Sequence, residues 1–256
     1  MDTTLIHGDC VEEMTKMQEE SVDLTVTSPP YDNLRTYEGS LQWHEDIWKQ
    51  VLEGLYRVTK KGGVVVWVVG DATIKGSETG TSFKQALYAM ELGFNLHDTM
   101  IYKKTGGGAR GSNLAYWQNF EYMFVFSKGR PKSINLIHDK ENSTAGNRNS
   151  GVNGRAVDGS KRFKKATTTA KIGRRENVWI IPAGNNTSDD KTEHPAVFPE
   201  KLAHDHITSW SNEGDTIFDP FLGSGTTGKI ATQLNRNFIG IEKVEKYFDI
   251  ANDRLK

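Results

Sequence analysis

The chain has 256 residues, one cysteine and a net charge of −1, which suits one large α/β domain or one domain carrying an inserted module. Cys10 alone gives neither an intrachain disulfide nor a cysteine-built zinc site. No apolar run approaches membrane-spanning length and "MDTTLIHGDC" has no signal-peptide core, so a cytoplasmic protein is expected.

In chain order, "TLIHGDC" reads as a short strand ending in a turn, and Val11, Met14 and Met17 follow at helical spacing. "SVDLTVTSPPY" opens as a strand, with Val22, Leu24 and Val26 alternating with polar residues. Pro29 and Pro30 then fix φ and remove two amide donors, leaving rigid carbonyls at the strand end beside Tyr31. Leu41, Ile47, Trp48, Val51, Leu52, Leu55 and Val58 recur at helical intervals, and "KKGG" is expected to end that helix with Gly62 or Gly63 as its cap. "VVVWVV" has the continuous apolar pattern of a strand buried on both faces. "SFKQALYAMELG" reads as a helix ending at Gly93. "FNLHDTMIYKK" and "FEYMFVFSK" read as strands whose short separation permits antiparallel pairing at the sheet edge.

A basic block comes next. Lys128 to Arg175 holds thirteen Lys/Arg against three Asp/Glu, an excess of +10 that points to a polyanionic partner. The block is rich in Gly, Asn, Ser and Thr and poor in apolar residues, so it is expected to fold poorly alone and to order on nucleic acid. Lys161, Arg162, Lys164 and Lys165 surround Phe163, a pattern for phosphate contact with one ring for stacking. A solvated charge run is the plainer reading of any single member. "NVWIIP" returns to strand and "HPAVFPEKLAHDHITSW" reads as a helix with a proline-rich start. His194, His204 and His206 are not spaced as a metal site.

The carboxyl-terminal stretch from "DTIFDPFLGSGTTG" to "NDRL" alternates strand, glycine turn, helix, strand and helix, which implies a mostly parallel, doubly wound sheet. Gly223, Gly225 and Gly228 form G-x-G-x-x-G after a strand and at the opening of a helix. Glu242 ends the next strand, where a carboxylate accepts hydrogen bonds from ribose hydroxyls. These residues mark a nucleoside cofactor site and by themselves leave NAD as one candidate.

"TSPPY" near the amino end and "DPFLGSGTTG" near the carboxyl end, with "IHGDC", "EYMFVFSKG", "HPAVFPEKL" and "FIGIE" between and around them, resemble the S-adenosylmethionine-dependent DNA amino-methyltransferases of the β class. The resemblance covers most of the chain. It implies an α/β fold: a Rossmann-like, doubly wound, mostly parallel sheet with one antiparallel edge strand and a circularly permuted motif order. The catalytic half would be residues 1–129, an inserted target-recognition segment 130–176, and the cofactor half 177–256.

The resemblance further implies that Ser28, Pro29, Pro30 and Tyr31 are catalytic. S-adenosyl-L-methionine would be held by Asp9 and Cys10 at its adenine, by Ser28, His194, Pro195 and Phe198 near its methionine part, by Asp219, Phe221, Gly223, Ser224, Gly225, Thr226 and Thr227 around the glycine turn, and by Glu242 at the ribose. Arg35, Lys161, Arg162, Lys164, Lys165, Arg174 and Arg175 would contact double-stranded DNA. An exocyclic amine is a poor nucleophile because its lone pair is delocalised into the ring. The Ser28 hydroxyl and the Pro29 carbonyl would accept its protons, so the motif works by preorganisation, without a metal or a covalent intermediate. Tyr31 offers a face for a flipped base. Nothing beside Cys10 supplies a base, so a cysteine nucleophile is not expected.

Serine before Pro-Pro-Tyr resembles the cytosine enzymes of the family, which favours N4 of cytosine over N6 of adenine. An RNA or protein amine methyltransferase and a catalytically silent DNA-binding relative are the remaining alternatives. A homodimer and a cognate restriction endonuclease are partners the resemblance leaves open.

Overall fold

The computed structural model describes residues 1–31, 43–105, 116–149, 152–163, 166–183 and 198–256. Arg35, Lys164, Lys165, His194 and Pro195 lie outside the described residues, as does the expected start of the first long helix at Leu41. Two units are present: Met1–Asn135 with Asn177–Lys256, and Leu136–Glu176.

The first unit begins with strand β1 (Thr3–His7), helix α1 (Cys10–Lys16), β2 (Val22–Thr27), α2 (Glu45–Val58) and β3 (Thr59–Val69). A short hairpin of β4 (Thr73–Ile74) and β5 (Ser77–Glu78) leads to α3 (Thr81–Glu91), β6 (Asn95–Thr105) and β7 (Phe120–Ser127). In the second unit, β8 (His138–Glu141), β9 (Val152–Arg155), β10 (Lys161–Phe163) and β11 (Ile172–Arg174) follow. The chain then returns to the first unit with β12 (Val178–Pro182), α4 (Glu200–Trp210), β13 (Thr216–Asp219), α5 (Thr226–Gln233), β14 (Asn237–Glu242) and α6 (Glu245–Arg254). No helix of the described residues is long and apolar enough to cross a membrane.

Eight strands form one sheet in the order β1-β14-β13-β2-β3-β7-β6-β12. All run parallel except β7, which is antiparallel to both β3 and β6. The expected antiparallel strand therefore exists, but it lies inside the sheet rather than at its edge. The edge is taken by β12, which pairs parallel to β6 from Val178↔Ile101 to Pro182↔Thr105. The basic block separates β12 from its partner in the chain, so local pattern gives no hint of that pairing.

A second expectation also changes. "KKGG" does not cap α2; it belongs to β3. The helix ends where Thr59 turns extended at φ −71° and ψ 129°, with its amide and its hydroxyl, the latter at 2.6 Å, both donating to the Leu55 carbonyl. Gly62 instead takes φ +81° next to the point where the β2–β3 register shifts.

Side chains alternate across β3 and β7. Val65, Trp67, Val69, Phe124 and Phe126 join one buried cluster with Met14, Trp48, Leu52, Leu55, Ala86 and Ala89 of the first three helices. Met123 points the other way, against His206 of α4. The His206 ring stacks on Trp179 with centroids 4.5 Å apart, as a core histidine.

The connection β13–α5–β14 runs toward one edge of the sheet and β2–α2–β3 toward the other. Strands β13 and β2 are neighbours, paired at Ile217↔Leu24 and Phe218↔Thr25. Their carboxyl ends flank the crevice in which open α/β sheets bind ligands.

The second unit differs from its expected lack of regular structure. Strand β8 pairs with β11 and β9 with β10, both antiparallel, and an Arg148↔Thr168 bridge lies between them. The pairs nest into one two-stranded ribbon, with Asn142, Gly146 and Asn149 amides donating across it to Lys171, Thr169 and Thr167. At its tip Gly159 takes φ +80° and the Ala156 amide donates to Ser160 O at 2.7 Å. A backbone ladder of this kind needs few apolar side chains, which is why composition alone does not reveal it.

Gly228 sets how closely α5 lies on the sheet. A Cβ there would sit 2.5 Å from Phe238 Cε1 and 2.8 Å from Leu255 Cδ1. Gly228→Val is expected to destabilise the first unit by about 3 kcal/mol, the upper part of the usual range for overpacking. Urea unfolding followed by tryptophan fluorescence measures it; an unchanged midpoint would mean the helix is free to shift.

Candidate active site

Strand β2 is wholly buried and delivers Ser28, Pro29, Pro30 and Tyr31 to its carboxyl end. Both prolines are buried, while Ser28 and Tyr31 are half-buried. Ser28 Oγ lies 2.9 Å from Tyr31 Oη, and the Tyr31 hydroxyl donates to Val68 O at 3.4 Å. A phenol has one proton. Either oxygen can donate in the Ser28–Tyr31 pair, and Ser28 Oγ keeps a lone pair to accept with in both cases. The Tyr31 ring packs against the core cluster and its hydroxyl is fastened at the strand end, so its position is set from two sides.

One residue earlier, the Thr27 hydroxyl donates to Asp219 Oδ1 at 2.6 Å, and that bond is buried. The Phe221 amide donates to the same oxygen at 3.1 Å. Thr227, at the start of α5, reaches back to Val26 O at 3.4 Å. The strand carrying Ser-Pro-Pro-Tyr and the turn carrying the glycines are therefore joined directly. Burial pushes the Asp219 carboxyl up to about 6, although hydrogen bonds from Thr27, Thr227 and the Phe221 amide all favour its ionised form.

The turn itself is shaped by Gly223 at φ +52° and Gly225 at φ +80°. Gly225 caps α5 in the left-handed region, and a Cβ there would meet Ala251 of α6 at 3.2 Å. Ser224, Thr226 and Thr227 are buried, and the Phe221 ring sits edge-on to Trp43 with centroids 5.5 Å apart. Glu242 ends β14 with Oε2 accepting from the Gly223 amide at 2.8 Å and Oε1 from the Val244 amide at 2.9 Å. Burial raises its pKa, against the pull of these amides. Each oxygen keeps a lone pair for a further donor.

Beside Glu242, at the end of β1, Asp9 caps α1 through the Val11 amide at 2.9 Å and pairs with Lys243 at 2.9 Å. Burial works against its charge, but the Lys243 ammonium and the Val11 amide outweigh it and hold its pKa below the ordinary value. Cys10 is buried, and desolvation followed by the Asp9 charge pushes its thiol up to about 12. Such a thiol is not a nucleophile at neutral pH.

Several residues that order the site carry no local signature. Arg254, at the end of α6, donates to Ser224 O at 3.2 Å and Thr226 Oγ1 at 3.1 Å, and pairs with Glu200 at 2.7 Å. Lys229 joins the same carboxylate at 3.0 Å. Thr27 and Lys243 act at greater remove still, 192 and 234 residues from their partners. Of the expected methionine-side residues, Phe198 is half-buried just ahead of α4.

On the ribbon, Arg162 and Arg174 are exposed and Lys161 lies in β10; Arg148, not singled out from sequence, is exposed as well. Arg175 of the expected DNA-contacting set is paired within the second unit. Its guanidinium is engaged by both oxygens of Asp139, with Nε at 3.1 and 3.0 Å, so its charge is neutralised within the ribbon. Among the described residues no group of His, Cys, Asp and Glu is arranged to hold a metal.

The DNA methylase family of N6 and N4 type matches residues 22–253. The orphan methyltransferase M.BamHII of Bacillus amyloliquefaciens is 56% identical over 241 residues, covering 92% of this chain and 89% of that protein. Among solved structures, the cytosine-N4-specific PvuII DNA methyltransferase superposes with a TM-score of 0.74 at 22% identity, over 100% of this chain and 87% of that one. A DNA modification methylase of Thermus thermophilus, complexed with S-adenosyl-L-methionine, superposes with a TM-score of 0.65 at 23% identity, over 100% and 95%. These likenesses establish the fold.

Thr27→Val keeps the shape of the side chain and removes the donor to Asp219. Because the folded pKa of Asp219 is raised from 3.8 to about 6, the stability linked to its protonation is full below about 3.8 and lost as pH rises through about 6. The Thr27 bond favours the carboxylate, so its loss raises that pKa further. Thr27→Val is expected to cost about 1–3 kcal/mol, and more at about pH 8 than at about pH 5. Denaturant titrations at both pH values measure this; a pH-independent deficit would show that the bond does not carry the charge.

Proposed function

The chain belongs to the N6/N4 DNA methylase family, and on that premise we propose that it methylates the exocyclic N4 amine of cytosine at a specific site in double-stranded DNA, with S-adenosylmethionine as methyl donor. The observation that carries the reading is the placement of Ser28. Its hydroxyl bonds that of Tyr31, which also reaches Val68 O, and it keeps acceptor capacity at the end of a strand whose next two residues are proline.

The glycine turn fits the cofactor. Gly223 and Gly225 shape the turn with positive φ, and the Glu242 carboxylate is held at the end of β14 with acceptor capacity to spare. Gly223, Ser224 and Glu242 would hold the nucleoside part, with Asp9 beside them. The cofactor supplies an electrophilic methyl group when bound. Ser28 Oγ and the Pro29 carbonyl accept the two amine protons, so the nitrogen lone pair is drawn out of conjugation and turned toward the methyl group. The Thr27–Asp219 bond keeps those acceptors in register with the turn. Fixed dipoles do this without reorganisation, which is the economical way to stabilise developing charge.

The ribbon of the second unit is the DNA-binding element in this reading. A two-stranded β-ribbon fits the major groove, and Arg148, Arg162 and Arg174 are exposed on it. Replacing these three arginines by glutamine is expected to weaken DNA binding and to flatten its dependence on log salt by about one for each phosphate no longer neutralised. Fluorescence anisotropy across a salt series checks this; an unchanged slope would mean these side chains are only solvated.

The function is tested by nucleoside mass spectrometry of DNA incubated with the protein and S-adenosylmethionine. N4-methylcytosine is the expected product, and Ser28→Ala should reduce its rate of formation by about 100-fold if one preorganised acceptor is removed. N6-methyladenine without N4-methylcytosine would overturn the assignment of the base while leaving the amine chemistry in place.

A further inference from the structure

Strand β7 begins at the end of the sheet where β2 and β3 finish, because it runs antiparallel to β3, with Tyr122 opposite Val69 and Ser127 opposite Val64. Its first residues therefore adjoin the candidate site. A Cβ on Gly70 would lie 3.6 Å from both Tyr31 Cε2 and Glu121 Cγ, so the Tyr31 ring and the Glu121 side chain flank one spot. The start of β7 is anchored. The Lys104 ammonium pairs with the Glu121 carboxylate, and the Lys104 amide donates to Asn119 O at 2.7 Å. Just ahead of this anchor stand Tyr116 and Trp117.

Both side chains stand in solvent: Trp117 is 68% exposed and Tyr116 fully so. The tryptophans at positions 43, 48, 67, 179 and 210 are all buried, none more than 6% exposed. Rings of this size are ordinarily covered over most of their area. Two adjacent ones left outside the core, next to a site, point to a ligand that covers them. Lys103, exposed opposite Phe120, adds a cation at the same end of the ladder. Aromatic rings beside a cation suit a polyanion that carries flat apolar faces, as nucleic acid does. The methylation reaction supplies the place for them. Extruding a base leaves a gap in the duplex, and the bases that line it lose a stacking partner. A large apolar side chain on an anchored segment can fill such a gap.

We propose that Trp117 enters the DNA duplex where the target base leaves it and stacks on the bases lining the gap, with Tyr116 beside it on the adjoining base step. The inference rests on the DNA methylation proposed above, but not on which base is methylated. The two rings take no part in the chemistry. They offset the stacking lost on extrusion and so raise the fraction of bound DNA whose target base lies beside Ser28 and Tyr31.

The test uses a synthetic duplex carrying the sequence that the wild-type chain methylates, located by sequencing DNA it has modified. Trp117→Ala should lower kcat/KM for this duplex by about tenfold, the scale of one lost base–ring stack, with an unchanged circular dichroism melt. Tyr116→Ala should lower it by about threefold, and Trp117→Phe should keep most of the wild-type value. Mispairing the target base makes extrusion easier, so the Trp117→Ala deficit should shrink to about twofold on a mismatched duplex. Adding DNA should quench the tryptophan emission of the wild-type chain and not that of Trp117→Phe, because the remaining indoles are buried. Equal kcat/KM for wild type and Trp117→Ala, a deficit that mispairing leaves intact, or quenching that survives in Trp117→Phe each overturns the wedge while methylation itself stands. An unchanged Tyr116→Ala removes Tyr116 from the contact. A wild-type chain that methylates no DNA overturns both the wedge and the reaction on which it rests.

Discussion

A buried hydrogen bond of 2.6 Å, from the hydroxyl of Thr27 to the carboxylate of Asp219, ties together the two strands between which the direction of winding reverses. On one side of it the chain leaves β2 as Ser-Pro-Pro-Tyr; on the other it leaves β13 as the glycine turn. Each of these segments is a departure from regular structure, and a departure is useful only if it is held in place. The Thr27–Asp219 bond, with Thr227 reaching back to β2, supplies that restraint in the layer where the sheet is fully buried.

Around this bond the protein holds negative charge mainly with neutral donors. Glu242 is held by two backbone amides and Asp219 by a hydroxyl and an amide. The cations stand further out: Lys243 on Asp9, and Lys229 and Arg254 on Glu200. Arg254 also fastens the turn through the Ser224 carbonyl and Thr226 hydroxyl. A site built in this way relies on fixed dipoles and places few mobile charges at its centre. Burial raises the pKa of both Asp219 and Glu242, so both carboxylates are sensitive to what covers them.

The two units solve different folding problems. The first buries large apolar surfaces, with Trp67, Phe126 and Phe218 among its fully buried side chains, and uses packing to fix geometry. The second is a ribbon whose order comes from cross-strand backbone bonds and from ion pairs at its base, Arg175 with Asp139 and Lys140 with Glu176. Such a ribbon leaves most of its side chains to solvent and so offers many groups to a ligand at small cost in core. In the first unit, helix α3 pairs a buried inner side with exposed apolar side chains at Phe83, Leu87 and Met90.

What the sequence determined by itself was the chemistry of short segments. Two consecutive prolines dictate a rigid strand exit, and G-x-G-x-x-G between a strand and a helix dictates a bare turn. A continuous run such as "VVVWVV" dictates a strand buried on both faces, as found. In each case the constraint acts within a few residues, so it is written where it acts. The tertiary structure decided everything that depends on partners distant in the chain. It placed β7 inside the sheet by adding β12 beyond β6. It drew "KKGG" into β3, which pairs with β2 from Thr59 onward. It turned a polar, basic stretch into a ribbon and gave Arg175 to Asp139. It also brought Arg254 to Ser224 and Glu200, 30 and 54 residues away. Those pairings form only when the chain closes on itself, and polar residues that pair at long range look, in the sequence, like any other surface residues.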